Sequence, residues 1–365
     1  MKISKKMWLI LISLALILIL ASVVYINRNN PFFKRISNSV PHEIFTLDGT
    51  KQNYFDTYGD LLLIINNDGI TALDKKGKLA FEVSAFTSQP LARVEGKYIL
   101  LADQRGKEAY LINDGNIHAN IRTEAEIITG SVSETGMFVL VTNDVGYRSK
   151  ITVYNQKGEE VYAWKIGENY VIDACISKDG KKLAASVLST ANNDVSGGIA
   201  FADIPSEKVD TPQFFKDKIF TMVRFNNDNS LVAIGESSSM GFSSSGKQKW
   251  TIDYAGRLLQ TFAFKLGTNL VLAFKNSANN TNLEIYSTGD GKKKGNGDLD
   301  YEVVSLDVVS DTILAVGARQ ISQFNHNGTE RVRANTQREL RYGGLLNNRR
   351  EVFVVGGTSV EVVKP

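Results

Sequence analysis

GFSSSGKQKW, Gly241 to Trp250, stands one residue away from a nucleotide-binding loop, and its reading decides the fold. The phosphate-cradling motif G-x-x-x-x-G-K needs Ser or Thr next, to supply a hydroxyl to Mg²⁺; here Gln248 follows. The residues beyond it, KQKWTIDYAG, alternate like a strand and run into a turn, so no helix N-terminus awaits a phosphate. The stretch also recurs. TALDKKGKLAF (Thr71–Phe81), TVYNQKGEEVY (Thr152–Tyr162) and SQFNHNGTERV (Ser322–Val332) share its form: an apolar or aromatic residue, then Asp, Asn or Ser, two variable residues, Gly, a polar residue and an apolar one. LINDGN (Leu111–Asn116) and YSTGDGK (Tyr286–Lys292) are shorter and longer versions. This is hairpin chemistry. The short polar side chain bonds the backbone ahead, and Gly takes the positive-φ position that closes the turn.

The turn residues Asp74, Asn113, Asn155, Asp203, Ser243, Ser287 and Asn325 follow one another at about 38 to 48 residues, the period of a propeller blade. Short β-rich runs such as LLLII, YILLA, MFVLV, SLVAIG, TILAVG and EVFVVG lie between them, with almost no 3.6-residue periodicity after residue 42. Four antiparallel strands per unit, repeated around an axis, describe an all-β β-propeller. Seven units fall at 52–85, 86–123, 124–167, 168–215, 216–256, 257–299 and 300–336. The tail from Glu339 to Pro365 supplies three strands and lacks a fourth, while EIFTL (Glu43–Leu47) is a strand without a hairpin partner. Pairing the two gives an eight-bladed ring closed by its N- and C-terminal strands, with no open sheet edge. Seven blades is the alternative if two weak units merge.

At the repeated turn the chain resembles the pyrroloquinoline-quinone-like propeller superfamily, whose repeats carry A-x-D-x-x-T-G-K-x-x-W; SSSGKQKW and ALDKKGKLAF look like degenerate copies. It is also similar to single-span, propeller-bearing membrane proteins of Gram-positive bacteria. The quinoprotein enzymes of the wider superfamily use calcium, stacking tryptophans and often a vicinal disulfide. This propeller region has only Trp164 and Trp250, and the chain has one cysteine, Cys175. The resemblance therefore implies the scaffold of the binding and assembly members, without the cofactor. The Gly-His and Trp-Asp signatures of WD repeats are missing.

The N-terminus reads as an anchor. Met7 to Ile26 carries no charge, and about 20 helical residues at ~1.5 Å each span the ~30 Å of a bilayer's hydrocarbon core. The run is longer than a signal peptide's apolar region, and Ala21-Ser22-Val23 is a poor cleavage site. Lys2, Lys5 and Lys6 before the span nearly balance Arg28, Lys34 and Arg35 after it. Translocating so short and basic a leader is unfavourable, which puts the N-terminus inside and the propeller outside the cytoplasm. The expected organisation is a cytoplasmic leader 1–6, a transmembrane anchor 7–26, a linker 27–42 and a propeller 43–365.

Composition narrows function by exclusion. With 43% hydrophobic and 22% charged residues the chain is globular, and a net charge of +3 calls for no nucleic acid. His42, His118 and His326 are scattered, so no metal site is expected, and no nucleophile elbow is present. Cys175, inside an apolar run, reads as a buried small hydrophobe. Asp298, Asp300, Asp307 and Asp311 read as a solvated acidic face without the spacing of a calcium loop.

Two surface features remain. In a propeller the first and third turns of each blade share one face, and the second turns and interblade connections share the other. The segments 143–150, 189–198 and 275–282 are expected as long loops on that second face. Tyr147, Arg148, Tyr170, Tyr254 and Arg257 are expected there as an interface patch. Arg331, Arg333, Arg338, Arg341, Arg349 and Arg350, with Arg319, form a candidate basic sector for anionic lipid, cell-wall polymer or an acidic protein. The expectation is a non-enzymatic, membrane-anchored scaffold with a protein partner, at the membrane or the cell wall. The alternatives are a glycan or small-ligand sensor at the channel mouth, and a hydrolase or lyase in the channel, which converging carboxylates there would favour.

Overall fold

The computed structural model describes residues 35–37, 42–191, 195–265, 267–276 and 279–365. The expected leader 1–6, the span 7–26 and the linker up to residue 41 lie outside the described residues. Among the described residues no helix is long and apolar enough to cross a membrane.

Eight antiparallel four-stranded units follow one another along the chain. Their strands cover 54–84, 90–122, 127–166, 170–216, 220–253, 259–299 and 303–335 in blades 1 to 7. Blade 8 takes Tyr342–Leu345, Val352–Gly356 and Ser359–Val363 from the C-terminus and His42–Thr46 from the N-terminus. The closing strand pairs antiparallel with the last one, His42 opposite Val362 and Thr46 opposite Ser359. Eight blades are thus present, and His42, assigned to the linker, is already part of the ring. A further short strand, Arg35–Ser37, runs parallel along Glu330–Asn335 at the rim of blade 7.

The second strand of each blade explains the apolar runs. Leu62 and Ile64 pack against blade 8, and Leu63 and Ile65 against blade 2. Successive side chains point to opposite faces of the sheet, and here both faces are covered, so the strand must be apolar throughout. Eight buried clusters result, one in each gap between neighbouring blades. Cys175 is buried in the gap between blades 4 and 5, as expected, and burial pushes its thiol pKa up.

The repeated turn is built as its residues dictate. Asp74 Oδ1 accepts the N–H groups of Lys76 and Lys78, and Asn155 and Asn325 do the same two and four residues ahead. Asn113 departs from the pattern: Asp114 and Gly115, both at positive φ, make a two-residue turn, and the Asn113 side-chain oxygen has no partner. The two glycines of GFSSSGKQKW have separate tasks. Gly246, at φ 79°, closes the turn, while a Cβ on Gly241 would stand 2.0 Å from the Trp250 indole lying across it. The indole N–H is donated to the Thr288 carbonyl at 3.1 Å, which ties blade 5 to blade 6.

The expected long loops are shorter than their composition suggests. Most of 143–150 is strand, with Asp144 paired to Tyr147 around the two-residue turn Val145-Gly146. Ser196–Gly198 and Thr281–Asn282 are likewise absorbed into ladders. Strand pairing continues wherever partners lie opposite, whatever the polarity of the outermost residues.

Gly241→Ala is expected to destabilise the protein by about 1–3 kcal/mol, because the methyl group displaces the indole. Gln248→Thr, which restores the nucleotide-loop spelling, leaves ATP binding undetectable by titration calorimetry. ATP binding by Gln248→Thr would overturn the hairpin reading.

Candidate functional site

The first strand of each blade lines the axis, and six blades place charge there. Asp56 comes from blade 1, Arg93 and Glu95 from blade 2, Asp173 from blade 4 and Arg224 from blade 5. Lys265, just past the first strand of blade 6, and Asp307 of blade 7 complete the set. A cavity of about 530 Å³ opens from this region toward the face of the first turns, where Gly59, Gly96, Ser310 and Asn347 ring its mouth. It is lined by Asp56, Arg93, Glu95, Arg224 and Lys265, with Met222, Phe264 and Val308 as apolar wall.

Two ion pairs brace neighbouring blades. Arg224 donates to Asp173 Oδ2 at 2.8 Å, and the same oxygen accepts the Val223 N–H at 3.0 Å. Asp173 is only 3% exposed. Burial works against the Arg224 charge, but Asp173 more than offsets it and the Arg224 pKa rises. Lys265 reaches Asp307 Oδ1 at 2.6 Å, while the two carboxylate oxygens accept the backbone N–H groups of Val308 and Leu345. The N–H of Leu345 crosses from blade 8, so this carboxylate also stitches the last gap before closure. Asp307, expected on a solvated acidic face, is therefore buried at the axis; Asp311, by contrast, meets Arg349 and Arg331 at the surface.

The other three charges have no ion pair among the described residues. Arg93 makes one hydrogen bond, to the adjoining Ala92 carbonyl at 3.1 Å, and its buried Nε has no partner. Burial and the nearby Arg224 lower its pKa. Asp56 accepts only the neighbouring Thr57 N–H, at 2.7 Å, and burial raises its pKa. The Glu95 pKa is raised to about 7, first by burial and then by Glu134, with Arg224 and Lys265 opposing and Asp56 adding. Glu134 itself is held at 2.5 Å by Lys178. None of these residues is legible in the sequence as axial; Asp307 alone stands out there, and as part of a solvated face. Their one signal is a charge inside the short first strand of several blades, as in VIDAC (Val171–Cys175) and MVRF (Met222–Phe225).

The expected interface patch divides. Tyr147, Arg148 and Tyr170 come together on the face of the interblade connections. The Arg148 guanidinium lies 4.6 Å from the centre of the Tyr170 ring and donates to its hydroxyl, and Lys165 lies 5.0 Å from the Tyr147 ring. Tyr254 is 0% exposed; its hydroxyl meets Ser239 at 2.5 Å and its ring meets Phe274. Arg257 is bound to the Tyr254 carbonyl and to Glu284, whose pKa falls to about 2 because Arg257, Lys293 and Tyr286 outweigh its burial. Tyr254 and Arg257 thus hold blade 5 to blade 6; Tyr254 is buried and not presented to a partner as expected, while Arg257 stays half-exposed but is engaged by Glu284.

That same face carries most of the exposed apolar surface. Of the thirteen large apolar or aromatic side chains exposed among the described residues, eight lie there. Phe86 (69%), Val145 (95%), Val195 and Leu258 (64%) occupy turns and connections, and Tyr54, Tyr147, Tyr170 and Val304 the strand ends beside them. The other five sit on outer strands, four of them, Leu79, Ile117, Val161 and Val209, just past the hairpins of the turn side.

The arginines do not make one basic surface. Arg331 and Arg349 share Asp311 on the turn side. Arg338 pairs with Glu43 and Glu361 on the blade 8 rim, and Arg333 with Glu330 and Asp300 on the outer strand of blade 7. Arg319 faces Glu339 at 3.6 Å and Arg341 stacks over Phe55 at 5.0 Å. Arg350 is exposed in the first turn of blade 8. The sector expected from sequence is dispersed over both faces and largely neutralised, because Glu330, Glu339, Glu361, Asp300 and Asp311 from the same two blades and Glu43 from the N-terminal strand pair with it. Among the described residues no cluster of ligating side chains fit for a metal occurs.

Glu95 gives stability a specific pH dependence. The folded protein holds its proton more tightly than the unfolded chain, so the contribution is complete below the ordinary carboxyl pKa of 4.5 and is lost as pH rises through about 7. Glu95→Gln is expected to gain stability over wild type between pH 4.5 and 8, by at most about 3 kcal/mol in denaturant titrations. A constant difference across that range would contradict the burial assigned to the carboxyl.

The chain is similar to many solved structures, three of which illustrate the likeness. The C-terminal WD40 domain of Sif2 aligns at 10% identity with a TM-score of 0.65, covering 90% of this chain and 99% of that one. The β-propeller domain of Cps50 (Swd1) from Myceliophthora thermophila aligns at 12% identity and 0.53, covering 91% and 99%. A chain of the mitotic checkpoint complex aligns at 11% identity and 0.53, covering 92% and 95%. Likeness at such identity shows the propeller fold alone. No curated protein matches the sequence. A family model does match, over residues 35–364, and the chain belongs to that family, a family of unknown function designated DUF5711.

Proposed function

We propose that this protein is a non-enzymatic, membrane-tethered propeller that binds a protein partner through the face of its interblade connections. The observation that carries the reading is the gathering of exposed apolar and aromatic side chains on that face, with Tyr147, Arg148 and Tyr170 as its anchors. Aromatic and arginine side chains dominate binding at protein interfaces, and exposed apolar surface concentrated on one face marks a docking site. The segment 7–26 is the tether, with its N-terminus cytoplasmic and the propeller outside. His42 starts the closing strand at the opposite, turn-bearing end of the ring, so a tether preceding it leaves the aromatic face pointing away from the bilayer. The resemblance to pyrroloquinoline-quinone-like propellers and to Gram-positive membrane propellers supports this scaffold role. One of the similar solved structures is of an assembly, the mitotic checkpoint complex.

A second reading has one observation in its favour. Glu95, with a pKa near neutrality inside the axial cavity, has the protonation behaviour of a general acid, which would suit a hydrolase or lyase.

The test uses single cysteines in a Cys175→Ser background, at Val145, Leu258 and, on the turn side, Lys76. A membrane-impermeant maleimide carrying a photo-crosslinker is applied to intact cells. Val145→Cys and Leu258→Cys are expected to give the same discrete adduct, Lys76→Cys none, and Tyr147→Ala/Tyr170→Ala to abolish it. Modification only after lysis would overturn the location, and adducts indifferent to position would overturn the interface.

A further inference from the structure

The axial cavity opens on the face opposite the proposed protein interface, and its charges are divided in a way that structural bracing does not account for. Arg224–Asp173 and Lys265–Asp307 are ion pairs that join neighbouring blades, although Asp173 Oδ1 is buried without a hydrogen-bond partner. Asp56, Arg93 and Glu95 point into the same cavity and have no ion pair among the described residues. A buried charge without a partner is costly, and the buried Arg93 Nε without any hydrogen bond adds to that cost. Groups held in this state inside a concave pocket of ligand size are poised to be completed from outside.

The signs select the ligand. A cation entering alone meets Arg93, Arg224 and Lys265. A multiply charged anion such as phosphate meets Asp56 and Glu95. A neutral sugar leaves all three unpaired groups uncompensated. A molecule bearing one carboxylate and one ammonium satisfies them together. Arg93 and Glu95 are two residues apart on one strand, so their backbone origins lie roughly 7 Å apart, and Asp56 approaches from the adjoining blade. That spacing suits charges separated by several bonds, and Met222, Phe264 and Val308 offer an apolar wall for what lies between them.

We propose that the cavity binds a small zwitterion of the amino-acid or short-peptide class, with Arg93 taking its carboxylate and Asp56 and Glu95 its ammonium group. The site is independent of the protein-binding face, since the two lie at opposite ends of the ring.

The experiment is saturation-transfer NMR on the full chain in detergent, with three probes: glycylglycine, which carries both charges, N-acetylglycine, which keeps only the carboxylate, and glycinamide, which keeps only the ammonium. Glycylglycine is expected to bind at least about tenfold more tightly than either control, the discrimination of a site whose polar groups are left unpaired by the wrong ligand. Arg93→Met should abolish its signal and raise the melting temperature, because an unpaired buried charge is replaced by an apolar chain of similar length. Equal signals from the three probes, no glycylglycine signal, or a signal that survives in Arg93→Met would overturn the proposal. So would a lower melting temperature in folded Arg93→Met, which would make the guanidinium part of the scaffold. The comparison of the three probes on the wild-type chain decides the matter even if a variant fails to fold.

Discussion

Every sheet in this molecule is apolar on both faces, and that constraint governs the rest. A sheet with two apolar faces must have a neighbour on each side. A row of such sheets would end in two uncovered faces, and a ring has none. The buried clusters follow this logic, one to a gap, including the gap between blades 8 and 1, where Leu62, Ile64 and Leu73 meet Phe353, Val355 and Val360. That last gap depends on blade 8, whose outer edge is filled by a strand from the other end of the chain. The pairing of His42–Thr46 with Ser359–Val363 therefore converts a row of hairpin units into one closed domain.

Closure also creates the axis. Eight first strands converge where they cannot pack face to face, and the space between them is accessible to water. Charge is tolerated there if it is paired, as in Arg224–Asp173, or if pairing is left to something else, as with Arg93. The two ends of the axis differ in kind. The turn side is stereotyped, because Asx-type hydrogen bonds and positive-φ glycines leave little freedom to its sequence. The opposite side joins strands of neighbouring blades, where no single turn geometry is demanded, and it has gathered Phe86, Val145, Tyr147, Tyr170 and Leu258. The two ends of the ring thus differ, with a polar cavity at one and exposed apolar and aromatic side chains at the other.

What could be read from the sequence follows from how local each determinant is. The repeated turn is written in five or six adjacent residues, so GFSSSGKQKW and its copies fixed the blade period and the strand order. The closing strand was legible because three strands at one end lacked a fourth and EIFTL at the other lacked a partner. The axial charges were hidden by the opposite circumstance. Asp56, Arg93, Asp173 and Asp307 sit in short strands tens of residues apart, and each alone is indistinguishable from a solvent-facing position. Tyr254 misled for a related reason: its place in an interblade connection suggested exposure, whereas the turn after it swings the ring onto Phe274 and its hydroxyl onto Ser239. The arginine sector failed because composition counts charges without their partners: Glu330, Asp311 and Glu361 neutralise it locally, and Glu43 arrives from the other end of the chain.

The central claim is closure of the ring by the two ends of the propeller domain, and a crosslink measures it directly. In a Cys175→Ser background, Thr46→Cys and Ser359→Cys place two thiols on opposed residues of the closing pair. Mild oxidation of the folded protein is expected to join them quantitatively and give a species that runs faster under denaturing electrophoresis and melts at a higher temperature. Thiols that stay reduced in the folded protein, while each single variant remains properly folded, would mean that Thr46 and Ser359 are not neighbours and that the ring is not closed in this way.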